Sequence, residues 1–238
     1  MKLDILVFAA HPDDAELACS GTIASHIAAG YICGVVDLTK GEMGTRGTTE
    51  LRRIEAEKSA KILGVQAREN LDFADIKFAN DWDHQLEVVK MIRKYRPEII
   101  LANAIRDRHP DHGKAAELLQ EAFFMSGLKK ISTKLDGQLQ EAYRARHLYH
   151  YIQNDYIKPD FIVDISEFWD KKLNSIMAFK SQFHDPDSNE AETFISSSEF
   201  LEFIEARAKE LGHRIGVKYG EGFTTSTSPG IQDLFSLI

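Results

Sequence analysis

The sequence predicts an α/β fold built on a mostly parallel sheet with helices on both faces. Three observations carry this expectation. Short β-branched or aromatic runs alternate with longer helical patterns along the chain. Several of those runs are almost continuously apolar, as strands buried on both faces must be. The residues of unusual polar chemistry follow the strands and so gather at one edge of the sheet, where open α/β sheets bind ligands. The 238 residues suit one domain, 1–238, with no internal repeat, low-complexity run or linker to divide it.

Strands are expected at 3–10, 31–39, 70–74, 98–103, 147–152 and 161–165, and helices at 17–29, 50–63, 83–95, 113–125, 167–179 and 199–211. Gly30, Gly64 and Gly212 each fall just past a helical stretch, where a left-handed cap residue is wanted. Within 50–63, Leu51, Ile54, Ile62 and Leu63 supply part of an apolar stripe, with Glu57 and Lys61 four apart on the wet side. The stretch 126–146 is the least periodic and reads as an insertion or a mobile loop. The Gly/Ser/Thr-rich stretch 220–230 reads as irregular.

Composition narrows the function. Apolar residues make up 43% and charged residues 28%, as in globular domains. With 29 basic against 37 acidic residues the net charge is −8, which argues against a general binder of nucleic acid or anionic membranes. No stretch approaches the roughly 18 apolar residues of a membrane helix. The opening ten residues carry Asp4 and run straight into a polar motif, so they read as a buried strand rather than a signal segment. Cys19 and Cys33 read as buried thiols in a reducing compartment, and a cytoplasmic location is expected.

Two motifs stand at strand ends. His11-Pro12-Asp13-Asp14 follows the first strand, and His109-Pro110-Asp111-His112 follows the fourth. Two imidazoles and one carboxylate, here His11, Asp14 and His112, are a usual set for a catalytic zinc with one position open to water. Asp13, beside Asp14 in sequence, stands where a general base belongs. His109 can donate a proton to a leaving group or steady an oxyanion, and Asp111 can orient one of the histidines. Such ligands also accept iron, cobalt or manganese. A lone His-Pro-Asp is equally a capped turn, but two copies after apolar strands, each with a further potential ligand, favour a metal site. No Gly-x-Gly-x-x-Gly follows the first strand, which disfavours a nucleotide-binding module.

The paired signature Ala10-His11-Pro12-Asp13-Asp14 and His109-Pro110-Asp111-His112 resembles the LmbE-like (PIG-L) family of zinc-dependent N-deacetylases. The stretches Tyr151-Ile152-Gln153, 158–166, Ser181-Gln182-Phe183 and 192–197 resemble the branch containing the bacillithiol-pathway deacetylases of N-acetylglucosaminyl malate. The resemblance implies a Rossmann-like three-layer sandwich. It also implies His11, Asp14 and His112 as ligands of one Zn2+ per chain, Asp13 as base and His109 as electrophilic or acid partner. Metal-activated water would then cleave an acetamide of a small sugar conjugate, giving acetate and a free amine. Arg53 and Asp72 match sugar contacts of the family, although Arg52 competes with Arg53 for the inward position; Glu42, in a loop that also reads as a surface turn, can accept hydrogen bonds from sugar hydroxyls. Arg144 is the first choice, among Arg106, Arg108, Arg144 and Arg146, for the malate carboxylates. Its neighbour Ala145 departs from the Arg-Pro expected in this branch. His150 and His184 fall in branch-like segments that can line the pocket. By analogy with such relatives a homo-oligomer, trimer or hexamer, is expected.

Overall fold

A computed structural model describes residues 1–183 and 190–238. In chain order the main elements are β1 (Ile5–Ala9), α1 (Asp14–Ala28), β2 (Cys33–Thr39), α2 (Thr49–Leu63), β3 (Ala67–Phe73), α3 (Trp82–Tyr95), β4 (Ile99–Ala102), α4 (Pro110–Ser126), a hairpin of β5 (Lys134–Leu135) and β6 (Gln138–Leu139), β7 (His147–Tyr151), β8 (Phe161–Asp164), α5 (Trp169–Ile176), α6 (Ser198–Arg214) and β9 (Gly220–Thr224). Seven strands form one sheet in the order β3-β2-β1-β4-β7-β9-β8. From β3 to β7 all neighbours are parallel, and only β9 runs against its two partners. This is the expected three-layer α/β sandwich. β1 and β2 are buried along their whole length, so alternate residues feed opposite cores. Leu6 and Phe8 pack in the cluster that includes Val88, Ile92 and Leu118 from α3 and α4, and Ile5, Val7 and Ala9 in the one that includes Ala15, Cys19 and Ile23 from α1. No helix among the described residues is long and apolar enough to cross a membrane.

Four local expectations are corrected. First, α1 and α4 begin at Asp14 and Pro110, so both His-Pro-Asp motifs lie at helix starts. A proline in the first turn and acidic side chains near the positive helix end are what such a start favours. Their polar first turns lack the apolar period that marks a helix. Second, Gly212 lies inside α6: a Cβ there would sit 2.8 Å from the Tyr219 backbone nitrogen, so glycine serves close packing rather than a cap.

Third, 126–146 is fastened. Arg93 is buried on α3 and donates to the Ser126, Leu128 and Ile131 carbonyls and to Thr133 Oγ1, at 2.7–3.0 Å. Asp136 and Gly137 close the hairpin with positive φ at both positions, a turn that suits strand twist. Fourth, the first half of 220–230 is a buried strand, β9. A Cβ on Gly220 would sit 2.7 Å from Ile162 Cγ2 and 2.9 Å from the Gly212 nitrogen, so the glycines that read as a loop admit α6.

Glu221 of β9 is buried against the middle of α1. Its carboxylate accepts the Gly21 and Thr22 amides at 3.0 and 2.7 Å and pairs with Lys172 Nζ of α5 at 2.7 Å. Lys172 also donates to the Glu16 and Leu17 carbonyls. Removing one partner of a buried, hydrogen-bonded pair leaves an uncompensated charge. Lys172→Met is therefore expected to cost about 3–5 kcal/mol in urea unfolding, and adding Glu221→Gln should recover part of the loss.

Candidate active site

The parallel strands deliver their carboxyl ends to one edge, and the connections that follow β1, β2, β3, β4 and β7 all contribute to a cavity of about 380 Å³ there. His11, Asp13 and Asp14 come from the β1–α1 junction, His109 and His112 from the β4–α4 junction, Met43 and Gly44 from the loop after β2, Asp75 and Ile76 from the one after β3, and Gln153 from the one after β7.

Asp14 lies between the two imidazoles of the expected ligand set. Its Oδ2 is 3.5 Å from His11 Nδ1, and its Oδ1 is 3.0 Å from His112 Nε2. The carboxylate is aimed by four partners: the His11 amide, Asn103 Nδ2 and Gln153 Nε2, each at 3.0 Å, and the His112 ring. Asp107 takes His112 Nδ1 at 2.5 Å and Asp75 takes His11 Nε2 at 3.0 Å, which leaves His112 Nε2 and His11 Nδ1 on the Asp14 side. Carboxylates behind ligating histidines are the usual support of a metal site. Ligand atoms converge within 4.8 Å in two groups, His11 with His109 and His112, which shares both imidazoles with the expected set, and His11 with Asp75 and Asp111. The donor set suits a divalent ion: the nitrogens and the carboxylate are buried, share one pocket and are held from behind.

Burial and charge pull against one another here. Burial opposes a charge on His112, but Asp14 and Asp107 outweigh it and push its pKa up to about 9. Burial likewise opposes a charge on His11, yet its bonds with Asp111, Asp14 and Asp75 hold its pKa well above the ordinary value. Burial raises Asp13 to about 7 against the pull of Arg52. Asp13 itself has φ 127°, a conformation that side chains rarely adopt, immediately before the first turn of α1. Its Oδ2 accepts no hydrogen bond among the described residues, and Arg52 Nη2 stands 3.6 Å away.

His109 caps α4: its Nδ1 accepts the Asp111 amide at 3.3 Å. A neutral imidazole with Nδ1 used as acceptor carries its proton on Nε2, so it presents a donor. Burial, followed by the neighbouring His11 and His112, lowers its pKa and favours that neutral form. Its ring meets His11 edge-on at 4.6 Å and stacks on His112 at 5.1 Å.

Of the four arginines expected for malate, Arg108 lines the cavity, its guanidinium 4.2 Å from the Phe194 ring centre, and the other expected sugar and malate contacts fall outside it. Arg53 is exposed and pairs with Glu50 and Glu57 on its own helix, while Arg52 turns inward to the Gly41 carbonyl and Gln182 Oε1. Asp72 is exposed, pairs with Lys40 and does not line the cavity; Asp75, three residues on, does. Glu42 accepts the Asp75 amide at 2.7 Å and so braces a cavity residue. Arg144 lies on the Phe124 ring and donates to the Phe124 carbonyl, near the far end of α4. His150 is buried against the Asn103 carbonyl and does not line the cavity, and His184 lies outside the described residues. Sequence reasoning assigns no role to Asn103, Asp107 or Gln153. Their signal is position, since Asn103 and Asp107 follow β4 and Gln153 follows β7.

Comparison with known proteins agrees with this geometry. The family profile of GlcNAc-PI de-N-acetylases, PIG-L, matches residues 6–123. The diacetylchitobiose deacetylase of Thermococcus kodakarensis is 34% identical over 191 residues, 75% of this chain and 70% of that protein. The 4-oxalmesaconate hydratase of Pseudomonas putida is 30% identical over 198 residues, 75% of this chain and 74% of that protein. Among solved structures, the conserved protein TT1542 from Thermus thermophilus superposes with a TM-score of 0.86 at 35% identity, covering 98% of both chains. The chain belongs to the PIG-L family of GlcNAc-PI de-N-acetylases, whose matched residues carry both His-Pro-Asp motifs.

Proposed function

We propose that this chain hydrolyses the acetamide of an N-acetylglucosamine conjugate, with N-acetylglucosaminyl malate as the specific substrate and bacillithiol synthesis as the setting. The observation that carries the reading is the buried Asp13 carboxylate, with one oxygen accepting no hydrogen bond, beside the His11, Asp14 and His112 donor set. Those three residues would hold one divalent ion, zinc by the family resemblance, which when bound polarises the amide carbonyl and makes water more acidic. Asp13 takes a proton from water as its oxygen attacks the acetyl carbon. The Nε2–H of His109 is placed to donate to the oxyanion that develops. Collapse breaks the carbon–nitrogen bond, the amine leaves with the proton Asp13 received, and acetate is the other product.

A second reading, addition of water across a carbon–carbon double bond, is favoured by the hydratase relative. Zinc-loaded protein is expected to release acetate and amine from N-acetylglucosaminyl malate in equal amounts, and faster than from N-acetylglucosamine. Loss of absorbance from an unsaturated dicarboxylate, with no acetate from either sugar, would replace this reading by the second.

A further inference from the structure

One wall of the catalytic cavity comes from the stretch 194–207, where Phe194, Ile195, Phe200, Phe203 and Ile204 make an apolar surface. Arg207 of α6 lines the same cavity. Among the described residues its guanidinium donates no hydrogen bond and pairs with no carboxylate; its close neighbour is the Phe203 ring, 5.4 Å away. The other arginine lining the cavity wall beside it, Arg108, lies on the Phe194 ring, and the cations buried elsewhere are partnered. Arg68 grips Asp37 and Glu16, Arg93 takes three carbonyls, Lys172 takes Glu221, and Arg52 takes Gly41 and Gln182. Half-buried beside apolar side chains, with no direct hydrogen bond and with Asp107 and Glu221 acting on it only at longer range, the guanidinium keeps its donors for an arriving anion.

We propose that Arg207 is the specificity-determining residue for the group attached to the acetylated sugar, and that it takes a carboxylate there. The inference rests on the deacetylase reading above and adds the side chain that chooses among conjugates. The planar fork of a guanidinium matches a carboxylate with two parallel hydrogen bonds, which a single ammonium does not reproduce. The flanking apolar side chains reduce the water around that pair and so strengthen it. Burial lowers the pKa of Arg207 only to about 10, so it stays cationic at neutral pH. A neutral glycoside leaves the cation as it was and gains nothing. Because Arg207 touches no reacting atom, its contribution belongs in binding of the anionic conjugate.

The test compares wild type, Arg207→Lys and Arg207→Met on N-acetylglucosaminyl malate and on the neutral methyl glycoside of N-acetylglucosamine, by amine release. Binding of free malate to each protein is measured by calorimetry. Arg207→Met is expected to raise KM for the malate conjugate by roughly 10- to 100-fold with kcat nearly unchanged, and to leave the neutral glycoside alone. Arg207→Lys should fall between. Equal losses on both substrates, or an unchanged KM for the anionic one, overturn the proposal. If wild type cleaves neither sugar, the deacetylase reading has failed and malate binding decides the matter of Arg207. Binding present in wild type and lost in Arg207→Met then sustains the anion site, and absent or unaltered binding overturns it.

Discussion

Asp13→Asn is expected to keep its metal and lose about 10²- to 10⁴-fold in kcat, the range a positioned general base supplies. The exchange is nearly isosteric, and it removes the only thing the reaction asks of this side chain, the capacity to take a proton. Folding gives little ground for confusion. The Asp13 side chain makes no capping hydrogen bond to α1, and the bond that does help start the helix, Leu17 N–H to the Asp13 carbonyl at 2.9 Å, belongs to the backbone. Arg52 remains anchored by Gly41 and Gln182. KM should therefore change little. The measurement is kcat alongside metal content on one preparation; turnover like wild type with metal in place removes Asp13 from the role of base.

The site was legible to the extent that strand ends were legible. The sheet is parallel, so a motif placed after a strand is placed at the ligand edge without further knowledge, and both His-Pro-Asp motifs are located in this way. What fails is the choice of helix face. In α2 the buried residues are Arg52, Glu55, Ala56, Ser59 and Leu63, whereas Leu51 and Ile54, read as part of an inward stripe, are 41% and 48% exposed. The inward face is polar because it meets polar partners: Arg52 reaches the cavity, Glu55 accepts from Ser181 at its amide and hydroxyl, and Ser59 donates to Glu16. Hydrophobic periodicity points the wrong way on such a helix, and preferring Arg53 to Arg52 is the same error of about a quarter turn. Glu221 escapes notice for a related reason. Its strand is short, glycine-flanked and interrupted by a charge; pairing with β7 and β8 makes it a strand, and Lys172 compensates the buried carboxylate.

His112→Ala is expected to abolish stoichiometric metal binding and, with it, turnover. The imidazole is one of three donors, and Asp107 behind it, Asp14 before it and Gln153 beside it are all arranged around its two nitrogens. Weakening the support rather than the ligand, by Asp107→Asn, should cost about 10- to 100-fold in metal affinity while leaving a loaded enzyme that still turns over. The protons give an independent check on the same residue. Without metal, His112 titrates near 9 and His11 is also held above its ordinary value, so both imidazoles carry protons at neutral pH that a metal must displace. Affinity should consequently rise with pH below about 9, and binding at pH 7 should release protons that a weakly buffered solution registers. In His112→Ala any residual uptake should release fewer. Metal content and proton release both unchanged in that variant would exclude His112 from the ligand set and shift the centre to His11 with Asp75 and Asp111.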